Sequence, residues 1–341
     1  MDISQVVITA AGGPERLETR TAQLPPPGAG EVQVEVRAAG INFADILARQ
    51  GLYPDAPPLP CVVGYEFAGT VREVGDGADG ALVGQDVFGL TRFGGYSSGL
   101  NVPAQQVFAM PGRLTHAQAA SVPVAYTTAW QLLVVQGGLR AGDTVLIHNA
   151  GSGVGLAALD VARHLGARTI GTASAGKHDF LTARGLHEAV DYRTGDWVRE
   201  VRDLTGGLGV ELVIDPMGGE SFRRSRGVLR PTGRLGMYGI SAASSNQGVL
   251  GKLRLAKTAL SMPVFHPVPL MNDNLGVFGV NLGHMWDEVD KIRGWLSEVV
   301  DGVEAGWVRP HVDSTFPFAQ APDAHAHIEA RRSVGKVVLT P

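Results

Sequence analysis

The stretch from Asp143 to Ser174 constrains the fold of this chain more than any other part of the sequence. It begins with the apolar run Val145–Ile147, which is typical of a short strand buried on both faces. A glycine-rich turn then leads into a segment whose apolar residues share one helical face, namely Leu156, Leu159, Ala162 and Leu165. Gly166 marks the end of this helix, and a second strand begins near Thr169. This order of strand, turn, helix and strand predicts an α/β unit.

The turn departs from the G-x-G-x-x-G pattern of dinucleotide-binding proteins. Counted back from Gly155, Ala150 and Ser152 stand where that pattern has glycine. The two glycines at 151 and 153 still permit a tight turn, and backbone N–H groups at a helix start favour a diphosphate. The strand–turn–helix context therefore predicts a dinucleotide site, with a purely structural turn as the alternative. The predicted cofactor contacts are Gly151, Ser152, Gly153 and Val154.

Length and composition exclude several other classes of protein. A chain of 341 residues with 44% hydrophobic and 18% charged residues suits two folded domains and is not typical of disorder. A net charge of -4 gives no overall field that would attract nucleic acid. No apolar run reaches membrane length, and the N-terminus lacks a signal-like pattern, so we expect a cytoplasmic protein without membrane insertion. The single cysteine, Cys61, excludes an internal disulfide and a multi-cysteine metal cluster.

Two kinds of pattern divide the chain. The alternating segment Glu31–Arg37 and the segment Phe67–Val74 predict strands of a β-rich first part. After about Pro123, strands alternate with helices, which favours a doubly wound parallel sheet. The strands predicted there are Val145–Ile147, Thr169–Thr172, Ala189–Tyr192, Glu211–Ile214, Arg234–Gly239 and Val277–Leu282. A helix over about Trp286 to Val300 and a strand at Gly335–Leu339 complete the prediction.

Several segments in this order resemble the zinc-independent medium-chain dehydrogenase/reductases, specifically the quinone oxidoreductase branch. They are Gly40–Asp45 (GINFAD), Gly64–Gly69 (GYEFAG), Val122–Trp130, the glycine turn, Asp191–Arg193 (DYR), Asp215–Gly219 (DPMGG) and Gly335–Lys336. The segment Asn274–Trp286, NLGVFGVNLGHMW, further resembles the vesicle membrane protein branch of that family.

The resemblance implies a fold and an assembly. A GroES-like, β-rich catalytic domain is expected at 1–124 together with 283–341, and a Rossmann-type cofactor domain at 125–282. The active site is then expected in the cleft. Because family members commonly dimerise, sometimes through edge strands of the cofactor domain, we expect a homodimer with Val277–Leu282 as the candidate edge. An internal strand without a partner is the alternative.

Zinc-dependent relatives carry a cysteine near the position of Asn42 and a histidine near that of Tyr65. Neither ligand type is present here, and catalytic zinc normally has three protein ligands of the His, Cys or carboxylate type. We therefore expect no metal site. Without zinc to lower the pKa of an alcohol, alcohol oxidation is disfavoured, while hydride donation to an electron-poor acceptor remains feasible.

The sequence after the second strand bears on the choice of nicotinamide cofactor. NAD-selective sites commonly carry Asp or Glu about twenty residues past the glycine turn, to bind the ribose hydroxyls. Here Ser174 occupies that place and Lys177 follows it. A serine can hydrogen-bond a 2′-phosphate and a lysine adds positive charge, so NADPH is favoured. By the resemblance, Tyr192, with or without Arg193, completes the pocket; a solvated lysine at a helix start is the alternative for Lys177.

By the same resemblance, further residues line the nicotinamide or substrate site. Asn42 is expected to hold a ribose hydroxyl or a substrate oxygen, and Thr128 to orient the nicotinamide, with helix capping as the alternative for Thr128. The Tyr53 phenol is expected to contact the acceptor or to anchor its loop. Lys336 is expected to help neutralise the cofactor, or to be a surface lysine. The remaining expected cofactor contacts are Phe278 and Val280.

The predicted reaction is hydride transfer from NADPH to a quinone or an α,β-unsaturated carbonyl, with Tyr53, water or a ribose hydroxyl as the proton source. An enoyl-thioester reductase and a nucleotide-binding scaffold with little catalysis are the alternatives. His325 and His327 are expected on the surface of a helix. The basic residues of 223–234 and the mildly amphipathic segment 251–257 are likewise expected to be solvated, rather than to bind an anionic partner or a membrane surface.

Overall fold

The computed structural model describes residues 1–242 and 256–341, which form two compact units. The first unit is Met1–Thr127 with Leu282–Pro341, and the second is Thr128–Asn281. Most of the amphipathic segment predicted at 251–257 lies outside the described residues. Within them, no helix is both long and apolar enough to cross a membrane.

The first unit is built mainly from strands. Its strands are β1 (Asp2–Ile8), β2 (Leu17–Gln23), β3 (Glu31–Gly40), β4 (Glu66–Val74), β5 (Asp86–Leu90), β6 (Gly99–Pro103), β7 (Val107–Ala109), β14 (Val312–Pro317) and β15 (Lys336–Thr340). Its helices are α1 (Phe43–Arg49), α2 (His116–Ala119), α9 (Val289–Ala305) and α10 (Ala321–Glu329). β1 and β2 pair with each other, and the other strands form a sheet in the order β14-β15-β3-β4-β5-β7, with β6 also paired to β3. The C-terminal β15 thus lies beside the N-terminal β3.

The second unit is a six-stranded sheet in which every pairing is parallel. Its strands are β8 (Thr144–Ile147), β9 (Arg168–Ala173), β10 (Glu188–Asp191), β11 (Val210–Asp215), β12 (Leu229–Met237) and β13 (Gly276–Gly279). Its helices are α4 (Gly153–His164), α5 (His178–Arg184), α6 (Trp197–Leu204), α7 (Glu220–Arg226) and α8 (Pro267–Asp273), and α3 (Pro123–Trp130) runs into it from the first unit. The doubly wound parallel sheet predicted from the sequence is confirmed.

The strand order of this sheet defines one special edge. The order is β10-β9-β8-β11-β12-β13, so the chain runs outward from β8 in one direction, then returns to β11 and runs outward in the other. In open α/β sheets, ligands bind outside the carboxyl ends of the strands where the order reverses. In this sheet, that place lies at the carboxyl ends of β8 and β11, the two strands between which the order reverses.

Local packing explains why the segment from Asp143 to Ser174 folds as predicted. Leu156, Leu159 and Ala162 of α4 are buried, as their shared helical face requires. β8 is buried on both faces from Val145 onward. The helix ends before Gly166, whose φ of 75° suits a glycine.

Several predicted boundaries shift, and three elements show the largest differences. β12 begins at Leu229, earlier than predicted, because Leu229 already pairs with Val210 of β11. β13 ends at Gly279 rather than at residue 282, because the chain passes into a 3₁₀ turn at Leu282–His284. Helix α9 covers Val289–Ala305, a few residues later than predicted.

Candidate functional site

The glycine turn between β8 and α4 has the features of a helix start that receives an anion. The Ser152 hydroxyl caps α4 by accepting a hydrogen bond of 3.1 Å from the Gly155 N–H, and the Ser152 N–H donates to the Asn149 carbonyl. The N–H groups of Gly153 and Val154 belong to the first turn, where helices lack internal acceptors. A Cβ on Gly155 would lie 2.5 Å from the Asn149 oxygen, so only glycine fits there.

Lys177 lies against the same turn. The side chain crosses Gly151 so closely that a Cβ at residue 151 would be 3.0 Å from the Lys177 Cδ and 3.8 Å from its Nζ. Lys177 ends a 3₁₀ turn, Ala175–Lys177, that follows β9, and it is half-buried rather than fully solvated. Its ammonium therefore brings positive charge to the predicted phosphate-binding turn.

Ser174 and Tyr192 lie side by side at the carboxyl ends of two neighbouring strands. Ala173 of β9 pairs with Asp191 of β10, and Ser174 and Tyr192 are the next residues on each strand. The Asp191 carboxylate accepts a hydrogen bond of 2.8 Å from the Arg193 N–H, and the Arg193 guanidinium lies 5.7 Å from the centre of the Tyr192 ring. The structure therefore brings Gly151, Lys177, Ser174 and Tyr192 to one edge of the sheet.

Phe278 and Val280 lie at the opposite edge of the six-stranded sheet from Tyr192. Phe278, on β13, packs over Gly236 of β12, where a Cβ would be 2.8 Å from the Phe278 ring. Val280 is buried and donates its backbone N–H to Met237 at 2.8 Å. Within the described residues, β13 is the last strand of the sheet, as an edge strand would be.

In the first unit, Lys336 is a buried residue, so the alternative of a surface lysine is wrong. Its Nζ donates to the Glu66 Oε1 at 2.6 Å, to the Asn42 Oδ1 at 2.8 Å and to the Ile41 carbonyl at 2.6 Å. An ammonium has three hydrogens, and all of them are used inside the protein. These contacts connect Lys336 to Asn42, and a contact of Lys336 with the cofactor stays a prediction.

This ion pair fixes the orientation of the Asn42 amide. Lys336 can only donate, so the amide oxygen faces Lys336, and the Glu66 carboxylate can only accept, so the Asn42 Nδ2 faces Glu66 at 2.9 Å. One Nδ2 hydrogen and one Oδ1 lone pair remain for a ligand. The half-buried Asn42 side chain can thus both donate and accept at a fixed place.

Beneath Asn42 lies a second carboxylate, Asp45. It is fully buried and accepts hydrogen bonds from the Asn42 N–H at 2.7 Å, the Gly64 N–H at 3.0 Å and the Tyr96 hydroxyl at 3.0 Å. Burial raises the pKa of Asp45 to about 7, although these hydrogen bonds and the nearby Lys336 lower it. Asp45 therefore holds the backbone of the two loops that carry Asn42 and Tyr65.

Tyr53 belongs to an aromatic group in the same unit. Its ring meets the Tyr65 ring edge-on at 6.3 Å, and Tyr65 lies 5.3 Å from Phe93. Burial, with the Asp45 charge as the next contribution, raises the pKa of Tyr65 well above its ordinary value. Tyr53 itself is half-buried, which is compatible with both of its expected roles, acceptor contact and loop anchor.

Thr128 is not a helix cap, because it lies within α3 and not at its start. The start of this helix is held by Glu66, whose Oε2 accepts the Val124 N–H at 2.8 Å. A carboxylate at this end also complements the helix dipole. Thr128 is buried, with only 8% of its surface exposed.

The surface assignment of His325 is wrong, because this residue is fully buried in α10. Its Nε2 lies 3.2 Å from the Tyr96 hydroxyl, which connects it to Asp45. Burial lowers the pKa of His325 to about 3, so its ring stays neutral. His327, two residues on, faces elsewhere and pairs with Asp313 at 2.8 Å. Across residues 1–242 and 256–341, His, Cys, Asp and Glu side chains form no metal-binding group of three or more.

The basic residues between 223 and 234 mostly have acidic partners. Arg224, for example, pairs with Asp196 at 2.7 Å and lies over the Trp197 ring. The other ion pairs are Arg223–Glu220, Arg226–Asp273 and Arg230–Glu211. This cluster is therefore locally neutralised, which supports the expected solvated surface.

Sequence reasoning missed Glu66 and Asp45 as organising residues. Both occur in segments used for the family resemblance, and Glu66 is an acid within the predicted strand region. A carboxylate in an apolar strand needs a buried partner. The sequence therefore indicated that Glu66 has a buried partner, although it could not identify that partner as Lys336.

Comparisons with known proteins agree with this arrangement. A model described as alcohol dehydrogenase GroES-like domain matches residues 28–112, and one described as zinc-binding dehydrogenase matches residues 184–339. The human synaptic vesicle membrane protein VAT-1 homolog is 36% identical over 339 residues, covering 98% of this chain and 86% of the relative.

Solved structures extend the similarity to the whole fold. Escherichia coli quinone oxidoreductase complexed with NADPH is 29% identical with a TM-score of 0.86, covering 99% of this chain and 100% of that one. The CurK enoyl reductase is 27% identical, also with a TM-score of 0.86, covering 99% of each chain. The predicted fold class, a Rossmann-type sheet with a GroES-like domain, is confirmed. Because the similarity extends over both units, the chain belongs to the zinc-independent medium-chain dehydrogenase/reductases, a family of oxidoreductases that bind nicotinamide cofactors.

Proposed function

We propose that this protein is an NADPH-dependent, zinc-independent reductase that transfers hydride to a quinone or to the β-carbon of an α,β-unsaturated carbonyl. One observation carries the proposal: Lys177 lies across Gly151 at the glycine turn, with Ser174 and Tyr192 beside it. This group combines a diphosphate-binding turn with a positive charge suited to an additional phosphate.

The residues of the turn fit a dinucleotide. Glycine at 151 and 155 keeps the turn free of side chains, and the Gly153 and Val154 N–H groups are available at the helix start. The Ser152 hydroxyl accepts from Gly155 and can still donate to a phosphate oxygen. When bound, NADPH supplies the hydride, while the protein supplies alignment and stabilises negative charge on the acceptor oxygen.

The preference for NADPH rests on the charges near Ser174. A carboxylate facing the ribose would bind its hydroxyls and repel a 2′-phosphate. Ser174 carries no charge, and the acid at the adjacent strand end, Asp191, is engaged by the Arg193 N–H. Ser174, Lys177 and Tyr192 are therefore the proposed contacts of the 2′-phosphate.

In the first unit, Asn42 is the proposed polar contact for the nicotinamide ribose or the substrate oxygen. Its amide is held by Lys336 and Glu66, so it offers one donor and one acceptor without reorienting. Thr128 is the proposed contact that orients the nicotinamide, and Phe278 and Val280 are proposed to line the cofactor site. The Tyr53 phenol, water or a ribose hydroxyl supplies the proton that accompanies the hydride.

Cofactor choice is tested by measuring kcat/KM for NADPH and for NADH in the wild type and in Lys177→Ala. Loss of a hydrogen bond between an ammonium and a phosphate lowers the NADPH preference by at least about 10-fold. Lys291→Ala is the matched control, because Lys291 is an exposed lysine of α9 paired with Glu288. A wild type that works better with NADH, or a Lys177 variant that keeps its preference, contradicts the proposal.

The acceptor is tested by NADPH consumption with 9,10-phenanthrenequinone, 1,4-benzoquinone and a crotonyl thioester. The proposal predicts turnover of a quinone. Similarity to CurK enoyl reductase favours the thioester as the second candidate, and turnover of the thioester alone supports an enoyl-thioester reductase. Tight NADPH binding without turnover of any acceptor supports a nucleotide-binding scaffold.

We also propose a cytoplasmic homodimer that pairs through β13. Within the described residues, β13 has a strand neighbour, β12, on one side only, so its other edge can accept a second copy. Light scattering after size-exclusion chromatography measures the mass of the particle. A monomer at micromolar concentration contradicts this part of the proposal.

A further inference from the structure

We propose that His148 is a positioning residue for the dinucleotide. Its neutral ring connects the glycine turn to the loop after β11 through hydrogen bonds and fixes the position of each relative to the other. This inference rests on the dinucleotide binding proposed above. The evidence is a buried chain of hydrogen bonds that runs from the turn through Thr172, His148 and Ser225 to Asp215.

His148 directly follows β8 at the edge where the strand order reverses. Its Nδ1 lies 2.9 Å from the Thr172 Oγ1 on β9, and its Nε2 lies 3.1 Å from the Ser225 Oγ on α7. The Ser225 hydroxyl donates in turn to the Asp215 Oδ2 at 2.7 Å, at the end of β11. These side chains are all buried, so water does not complete their hydrogen bonds.

The chemistry of these groups fixes the direction of every hydrogen. An ionised Asp215 can only accept, so the Ser225 hydrogen points to Asp215 and the Ser225 oxygen accepts from the His148 Nε2–H. The Nδ1 of a neutral ring then carries a lone pair, to which the Thr172 hydroxyl donates. All hydrogens point towards Asp215, and such a series of aligned bonds is mutually strengthening.

The packing keeps the ring neutral and in one orientation. Trp197 meets the His148 ring edge-on at 4.7 Å. Burial lowers the pKa of His148, Asp215 raises it, and Arg224, stacked on the outer side of Trp197, lowers it. A protonated ring would need to donate from both nitrogens, and Thr172 would have to reverse its hydroxyl.

Each end of the chain holds backbone that borders the proposed cofactor site. The Thr172 Oγ1 accepts the Asn149 N–H at 3.3 Å, and Asn149 begins the glycine turn with a φ of 54°, a left-handed conformation that must be held in place. At the other end, the Asp215 Oδ1 accepts the Met217 N–H at 2.7 Å. His148 therefore couples the turn after β8 to the loop after β11.

Variants of Thr172 test the proposal without removing the ring. Thr172→Val keeps the shape but can neither donate to His148 nor accept from the Asn149 N–H, whereas Thr172→Ser keeps the hydroxyl that makes both contacts. The matched control is Thr169→Val, because Thr169 pairs with His187 at 2.8 Å in the same way at the opposite end of β9. All proteins are compared for dinucleotide Kd by calorimetry and for Tm.

We expect Thr172→Val to weaken dinucleotide binding about tenfold, and to raise the cofactor KM more than it lowers kcat. Thr172→Ser should restore binding, and Thr169→Val should lower Tm without this loss of affinity. Equal loss of affinity in Thr172→Val and Thr169→Val at equal Tm overturns the proposal, as does wild-type affinity in Thr172→Val.

A second measurement uses the protein without cofactor. Nitrogen-15 NMR of the histidine rings at about pH 8 should show His148 neutral and protonated on Nε2. A ring protonated on Nδ1, or a charged ring, overturns the inferred chain. If the wild type prefers NADH, the proposed choice of NADPH is wrong, but the role of His148 can still be tested. The Thr172 variants are then compared for their affinity for NADH. A wild type that binds neither dinucleotide overturns both.

Discussion

Replacing Lys336 by methionine should strongly destabilise the first unit, because it leaves a carboxylate buried without its cation. Glu66 is fully buried, and the Lys336 Nζ lies 2.6 Å from its Oε1. After Lys336→Met, this carboxylate keeps two neutral donors, the Asn42 Nδ2 and the Val124 N–H. Removing one partner of a buried ion pair costs about 3–5 kcal/mol of the free energy of unfolding.

The double variant Lys336→Met/Glu66→Gln isolates the origin of that loss. It removes both charges, and the amide introduced by Glu66→Gln can still accept from the Val124 N–H. Without Lys336 the Asn42 amide can turn over, so that its Oδ1 accepts from the new amide nitrogen. Because neutral replacements of a buried pair are often tolerated, the double variant should be more stable than Lys336→Met by about 2 kcal/mol or more.

The assay is urea unfolding of the wild type, both single variants and the double variant, with NADPH affinity measured in parallel. The two units can unfold separately, so tryptophan fluorescence and circular dichroism are followed together. A loss below about 1 kcal/mol in Lys336→Met, or a double variant no more stable than the single one, would refute the assignment of Lys336 and Glu66 as a coupled buried pair.

Three further predictions concern other parts of the chain. Gly155→Ala should lower the free energy of unfolding by about 1–3 kcal/mol or more, because its Cβ would lie 2.5 Å from the Asn149 oxygen; Gly176→Ala, where a Cβ meets nothing, is the control, and equal Tm values would contradict this. Tyr53→Phe should lower kcat if the phenol serves the reaction, and unchanged kinetics would assign Tyr53 to packing. The third concerns pH: the unfolded chain takes up a proton at His325 near pH 6.5, but in the folded chain the pKa of this residue is about 3. His325 therefore removes stability as pH drops below about 6.5, whereas Asp45, whose pKa is about 7 in the folded chain, adds stability over the same range. The stability of His325→Phe should fall less, or rise more, than that of the wild type on acidification, by up to about 1.4 kcal/mol per pH unit in urea unfolding; parallel profiles would argue against a buried neutral ring.

The elements that could be predicted from sequence are those with a local signal. Strand β3 alternates in sequence, α4 repeats its apolar residues on one face, and the glycine turn lies between a strand and a helix. The strand ends were less predictable, because β12 starts where a neighbouring strand offers Val210 as a partner, which is a tertiary contact.

The polar networks were not predictable, because their members are far apart in sequence. Lys336 and Glu66 are separated by 270 positions, and His325 and Tyr96 by 229. Nothing adjacent to Lys336 or His325 indicates burial. His325 was therefore expected on the surface, and a surface lysine stayed open as the alternative for Lys336. Only the fold brings their partners to them.

The pairing of β15 with β3 has a consequence for biosynthesis. Val338 pairs with Gly40, so the GroES-like unit takes strands from both ends of the chain, whereas Thr128–Asn281 is continuous. Domains fold as units while the ribosome is still translating. The continuous unit can therefore fold as soon as it emerges, while Glu66 lacks its lysine until translation has passed codon 336. During that interval β3 lacks its β15 neighbour, so Ala39 and Gly40 form an unpaired part of the sheet edge in the nascent chain.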